Sequence, residues 1–204
     1  MQNFIFDIDG TLIDTEKMYI KPLYDVLVKR GGYDITYDQA AATFGITALD
    51  ALKRLNVTDQ DAVMAEWNQL IPNYAKYLKV YAGIPESLAK LKQTKKLAIA
   101  TSKVRSEFER DFTPIGINHY FNEVVTSDEV AAGKPAPPDM ILKGMEKLNG
   151  VPETTVYVGD TLYDMKAAHS ANVAFALAGW RTAADENFKK ADYVLEQPKD
   201  LLGL

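Results

Sequence analysis

Two carboxylates, Asp7 and Asp9, close an apolar run, Phe4-Ile5-Phe6, and Gly10-Thr11-Leu12 stands directly behind them. The run predicts a buried strand of a parallel sheet, Phe4 to Ile8, opening into a Gly-Thr turn. Side chains alternate along a strand, so residues i and i+2 share a side as far as extended geometry persists. Two carboxylates roughly 4 Å apart repel by about 4 kcal/mol at an effective dielectric near 20. Such a pair calls for a cation or a shared proton. The plain alternative is an Asp-Gly turn that ends a strand, and Asp-x-Asp-Gly alone does not separate the two.

Three more polar clusters follow apolar stretches. Thr101-Ser102-Lys103 comes after Leu97-Ala98-Ile99-Ala100. A hydroxyl and loop amides at a strand-to-helix junction can hold an anion, or the hydroxyl can simply cap a helix. Gly133-Lys134-Pro135-Ala136-Pro137-Pro138 is a stiff segment with one lysine, readable either as an ordinary surface loop or as a holder for that ammonium. Asp160 ends Thr155-Val156-Tyr157-Val158-Gly159, and Asp164 lies one helical turn further on. A cap would need Asp160 but not Asp164. Together these clusters offer carboxylates, a hydroxyl and a lysine without His or Cys. An oxygen-only donor set of this kind suits Mg²⁺ beside a phosphate. Thr101, loop amides and Lys134 would then hold phosphoryl oxygens, and Asp7 would be a nucleophile aimed at phosphorus.

The elements that must position these groups read as two kinds of structure. From Gly83 onward helices alternate with short apolar strands at Leu97–Thr101, Glu123–Thr126, Thr155–Gly159 and Val173–Leu177, with a weaker strand at Tyr193–Leu195. That alternation means βα units and a parallel sheet whose ligands lie at the carboxyl ends of the strands. Residues 14 to about 80 instead carry four helical patterns and no convincing strand. Tyr19, Ile20, Leu23, Tyr24, Leu27 and Val28 share one helical face, which Gly31-Gly32 ends. Thr36-Tyr37-Asp38-Gln39 has the form of a capping box, Leu49, Leu52 and Leu55 line a third helix, and Thr58 is placed to cap a fourth. The expected division is an α/β core of 1–14 and 82–204 with a helical insert of 15–81. An insert at that point would hang over the site as a lid.

Composition narrows the function. The chain has 204 residues, 47% of them hydrophobic and 25% charged, which is globular and leaves ample core. A net charge of −5 argues against a nucleic-acid polymer as partner. The absence of cysteine removes disulfides, thiolate metal sites and a thiol nucleophile. His119 and His169 stand alone and read as surface or packing residues. No basic-apolar-small opening and no apolar run of membrane length is visible, so a cytoplasmic protein is expected.

With these motifs in order, the sequence resembles the haloacid dehalogenase-like superfamily of phosphohydrolases, in its branch with a small helical cap. Asp7-Ile8-Asp9-Gly10-Thr11-Leu12, Thr101-Ser102-Lys103, Lys134-Pro135, and Gly159-Asp160 with Asp164 match the four motifs of that superfamily. Ser102 stands where many relatives carry Asn, and Pro137-Pro138 lengthens the third motif's loop. The resemblance implies a doubly wound, Rossmann-like sheet of order 3-2-1-4-5. It implies an aspartyl-phosphate at Asp7, general acid-base work by Asp9, and phosphate contacts from Thr101, Ser102, Lys134 and Gly10. It also implies Mg²⁺ on Asp7, the Asp9 carbonyl and Asp160, with Asp164 in support. The expected activity is Mg²⁺-dependent hydrolysis of a small phosphorylated metabolite by a monomer or weak dimer. Within the superfamily, a sugar-phosphate mutase of the β-phosphoglucomutase type would need basic cap residues, which Thr43 to Ala48 lack, although Lys53 and Arg54 are near. A dehalogenase needs neither Asp9 nor a metal. A non-catalytic phospho-acceptor or binding protein could use the same Asp cluster but has no use for the helical lid. For substrate contact the cap offers Tyr19, Phe44, Gly45 and Thr47, although each reads more readily as core packing or turn structure.

Overall fold

The computed structural model describes residues 1–131 and 138–204. In chain order the elements are β1 (Asn3–Phe6), β2 (Ile13–Asp14), α1 (Glu16–Arg30), α2 (Tyr37–Ala41), α3 (Ala48–Arg54), α4 (Gln60–Leu70), β3 (Lys79–Val80), α5 (Ile84–Leu91), β4 (Lys96–Ala100), α6 (Arg105–Glu107), β5 (Glu123–Val125), α7 (Asp139–Lys147), β6 (Thr155–Gly159), α8 (Leu162–Ser170), β7 (Ala174–Ala178) and β8 (Tyr193–Leu195). Six of the strands form one parallel sheet in the order β5-β4-β1-β6-β7-β8. Counting only those strands, the order is 3-2-1-4-5-6: the expected α/β topology, with Tyr193–Leu195 added at the edge.

Period-two alternation in the sheet explains why it is covered on both faces. Phe4, Phe6, Leu97, Ile99, Val156 and Val158 pack with Ile84, Leu88 and Leu91 of α5 on one side. Ile5, Ala98, Ala100 and Tyr157 pack with Met140 and Ile141 of α7 and Ala167 and Ala168 of α8 on the other. A third cluster lies apart from the sheet and joins α1, α3 and α4 through Leu23, Leu27, Leu52, Val63 and Trp67.

Several local expectations are corrected. β1 stops at Phe6 rather than Ile8. The Ile8 carbonyl accepts the amides of Thr11, Leu12 and Ile13, which curls the chain into a tight loop instead of extending it. β2 and β3 pair antiparallel, so a two-stranded ribbon stands where the chain enters and leaves the helical segment. Two-residue strands carry too little periodicity to be read in advance. On α1, Val28 is exposed while Met18 and Val26 are buried, so the apolar face is rotated from the predicted one. The Thr36–Gln39 capping box forms. The N-cap position of α4 is Asp59 rather than Thr58 and carries no side-chain cap bond, and the helix gives way to a 3₁₀ stretch, Ile71–Tyr77, where Pro72 removes an amide donor.

Leu52 is fully buried in the helical cluster. Leu52→Ala is therefore expected to cost about 2–5 kcal/mol in urea unfolding. A cost below about 1 kcal/mol would show that these helices do not share a packed core.

Candidate active site

β4, β1 and β6 are neighbours in the sheet, so the residues just past their carboxyl ends, Thr101, Asp7 and Asp160, come side by side. The Asp7 amide donates to the Val158 carbonyl and the Thr101 amide to that of Val125, which carries the ladder one residue beyond the strands. Asp7, Asp160 and Asp164 are all buried, and one carboxylate oxygen from each lies within 4.8 Å of the others. At that spacing each pair repels by roughly 3 kcal/mol at an effective dielectric near 20. Local structure holds them together regardless. Asp164 Oδ2 accepts the Asp160 and Thr161 amides at 3.2 and 3.0 Å and the Thr161 hydroxyl at 2.6 Å. Thr161 Oγ1 in turn accepts the Asp164 amide, so Thr161, not Asp160, caps α8. The Thr11 hydroxyl donates to Asp160 Oδ1 at 3.2 Å.

Gly10 lets the first loop reach this cluster. Its φ is +85°, and a Cβ there would lie 2.3 Å from Asp160 Oδ2. Its amide, expected at phosphate, donates to the Ile13 carbonyl at 2.8 Å. The donor set, three buried carboxylates with no nitrogen or sulfur ligand, fits a hard cation such as Mg²⁺.

Asp9 faces a different set of partners. Its Oδ2 lies 2.8 Å from Lys103 Nζ, and the Thr15 hydroxyl donates to Oδ1. Lys103 Nζ also donates to Tyr19 Oη at 2.7 Å and sits 4.0 Å from the centre of that ring. Burial alone would lower the Lys103 ammonium, but Asp9 and Tyr19 raise it above its ordinary value. The Tyr19 hydroxyl donates to Asp111, which Arg110 holds through two contacts of 2.7 Å. Burial foremost raises the Tyr19 phenol. Burial would also raise the Asp111 carboxyl, yet the bonds from Arg110 and Tyr19 hold it below the usual carboxylate range. The sequence displayed Lys103 and Asp111 but gave no reason to join them, because the chain positions of the partners are unrelated.

A cavity of about 70 Å³ opens on Asp7 and Asp9, with Tyr19, Phe44, Gly45, Trp67, Ser102 and Lys103 among its walls. Three of the four cap residues proposed for substrate contact thus line it. Thr47 does not: its hydroxyl accepts the Asp50 amide and caps α3. Ser102, expected at phosphate, is on the wall and donates to the Gly45 carbonyl at 3.3 Å. Thr101 Oγ1 accepts the Lys103 amide at 3.3 Å, and α6 begins later with Val104 as its N-cap, so neither hydroxyl caps that helix. Lys134 lies outside the described residues. Arg181, not anticipated, sits 3.3 Å from Asp160 Oδ2 through Nε and 2.7 Å from Glu16 Oε2 through Nη2, with its guanidinium over the Phe44 ring. Arg54 turns to Tyr163 and Lys53 to Asp50, so neither of the basic cap residues weighed earlier faces the cavity. His119 and His169 are exposed and away from it.

A sequence profile described as haloacid dehalogenase-like hydrolase matches residues 4–178. A Caldanaerobacter subterraneus protein provisionally named pyrophosphatase PpaX is 31% identical over 97% of this chain and 91% of its own length. A phosphoglycolate phosphatase from Aquifex aeolicus is 30% identical over 100% and 96%. A crystal structure from Lactobacillus plantarum, provisionally titled phosphoglycolate phosphatase, superposes with a TM-score of 0.89 at 27% identity, covering 99% of this chain and 98% of that one.

Two outcomes follow from this geometry. A cation bound only by the folded state raises the melting temperature. Mg²⁺ is expected to do so for the native chain, and Gly10→Ala, which drives a methyl into Asp160, to abolish most of the rise. An equal rise in both proteins would separate Gly10 from the metal site. The second concerns pH. The folded Asp111 carboxyl lies below its unfolded value of about 3.9, so its stabilisation is present above that value and lost as pH falls through the lower folded one. The stability gap between the native chain and Asp111→Asn, read by urea unfolding, should be full at pH 7 and shrink below about pH 4. A gap independent of pH would contradict the ion pair with Arg110.

Proposed function

The chain belongs to the haloacid dehalogenase-like hydrolases, and from that premise we propose that it is a Mg²⁺-dependent phosphatase acting on a small phosphorylated metabolite through an aspartyl-phosphate at Asp7. The observation that carries the reading is the meeting, at one cavity, of a carboxylate tied to the acidic cluster and a second carboxylate two residues on with partners of its own. A carboxylate oxygen of Asp7 attacks phosphorus, the ester P–O bond breaks, and the leaving alkoxide takes a proton from Asp9. Asp9 then removes a proton from the water that attacks the acyl phosphate, releasing phosphate and restoring Asp7. Lys103 on Oδ2 and Thr15 on Oδ1 fix the orientation of the Asp9 carboxylate.

Asp7, Asp160 and the Asp9 carbonyl would hold Mg²⁺, with Asp164 fixing the loop that carries Asp160. When bound, the ion supplies positive charge to the carboxylates and to the phosphoryl oxygens. Thr101 and Lys134 would hold the remaining phosphoryl oxygens. Residues 15–81 would act as the cap over the core of 1–14 and 82–204. Support comes from their separate apolar cluster, from the two-stranded ribbon at their base, and from the cavity they wall. The provisional and established names of the relatives, pyrophosphatase and phosphoglycolate phosphatase, agree on phosphate chemistry and differ on substrate. No helix among the described residues is long and apolar enough to cross a membrane.

The test is a pair of variants. Asp7→Asn should fold and lose essentially all turnover, because an amide is a far poorer nucleophile; more than a few per cent of kcat remaining would falsify its role. Asp9→Asn should lose about 10²–10⁴-fold, least with para-nitrophenyl phosphate, whose leaving group needs little protonation. Equal losses on that ester and on an alkyl phosphate would remove Asp9 from the role of acid.

A further inference from the structure

The wall opposite the catalytic carboxylates is apolar. Phe44, Ile46, Ala48, Ala51, Trp67 and Ile71 form it, all from the helical segment. Its polar atoms are largely spent within the protein. The Trp67 indole donates to the Tyr19 carbonyl at 2.8 Å, and the Thr43 hydroxyl to that of Ala40 at 2.7 Å. Asn68 is the one amide side chain among the described wall residues.

Among the described residues the helical segment brings no cation to the cavity, and Lys103 is the one lining cation. That ammonium is held 2.8 Å from Asp9 and 2.7 Å from the Tyr19 hydroxyl, at a side chain 6% exposed. A second anionic group on a substrate would meet this apolar wall, which offers one amide and no cation among its described residues. An ion desolvated without a partner is strongly disfavoured.

Resting on the phosphatase reading above, we propose that the substrate is a phosphomonoester of an uncharged alcohol. Its hydrocarbon part packs on the Phe44–Trp67 wall, and Asn68 serves a single hydroxyl or carbonyl. Pyrophosphate and phosphoglycolate, each with a second anionic group, fall outside this class. Hydrocarbon placed on such a wall gains roughly fourfold in binding for each buried CH₂.

The test compares two esters with the same leaving atom and chain length, n-butyl phosphate and 4-phosphooxybutanoate, in steady-state assays of the full chain with Mg²⁺. Pyrophosphate, 2-phosphoglycolate and para-nitrophenyl phosphate are run alongside. The expected result is a kcat/KM for n-butyl phosphate at least tenfold above those of 4-phosphooxybutanoate, phosphoglycolate and pyrophosphate. Ile46→Arg, which adds a cation to the half-buried rim of the wall, should shrink the butyl-to-butanoate ratio at least tenfold, chiefly through KM. Equal or better use of any anionic substrate would overturn the proposal, as would an unchanged ratio in Ile46→Arg. Hydrolysis of para-nitrophenyl phosphate with neither butyl ester accepted would overturn it while leaving the phosphatase reading intact. Inactivity on every ester, with the protein folded and Mg²⁺ present, would overturn both.

Discussion

Three buried carboxylates gathered within 4.8 Å are the constraint on which the rest of this molecule depends. Left to themselves Asp7, Asp160 and Asp164 would separate or take up protons. The fold prevents separation by anchoring each to a different piece of rigid backbone. Asp7 continues the β1 ladder through its amide, Asp160 follows β6, and Asp164 is locked into the first turn of α8 by a capping box with Thr161. Asp164 therefore does structural work that a ligand reading alone misses: its Oδ2 holds the amide of Asp160 itself. Close approach also needs missing side chains. A Cβ on Gly10 would collide with Asp160, and one on Gly159 would lie 2.5 Å from the Asp164 Cβ.

The same cluster is tied to the helical segment. Arg181 touches Asp160 with one nitrogen, Glu16 at the start of α1 with another, and covers the ring of Phe44. Ser102 reaches the Gly45 carbonyl, and Gly45, at φ +92°, packs on Thr161, where a Cβ would meet Cγ2 at 2.8 Å. Tyr19 completes the set by joining Asp111 on the core to Lys103 and so to Asp9. These contacts are polar and few, unlike the apolar packing inside each cluster. Polar contacts of that kind are typical of a boundary between two separately packed parts of one chain.

The chemistry of the catalytic side and the character of the opposite wall are thus set by different parts of the chain. The sheet edge supplies carboxylates and a hydroxyl at fixed spacing. The helical segment supplies Phe44, Ile46, Trp67 and Ile71. A single catalytic edge can in this way serve relatives named for different substrates.

By itself the sequence determined what is local or periodic. Short apolar strands alternating with helices specified the doubly wound sheet, and carboxylates following Phe6 and Gly159 marked its active edge, because both signals repeat over neighbouring residues. The Thr36–Gln39 box was legible for the same reason. Only the tertiary structure decided which residues meet across the chain. It brought Lys103 to Asp9 and Tyr19 to Asp111, placed Arg181 between Asp160 and Glu16, moved Thr47 out of the site into a helix cap, and curled Asp9 out of the strand. The pairings of Lys103 with Asp9, Tyr19 with Asp111 and Arg181 with Asp160 and Glu16 have no spacing that a linear pattern could carry. Each follows from how the apolar clusters of the sheet and of the helices are brought against each other.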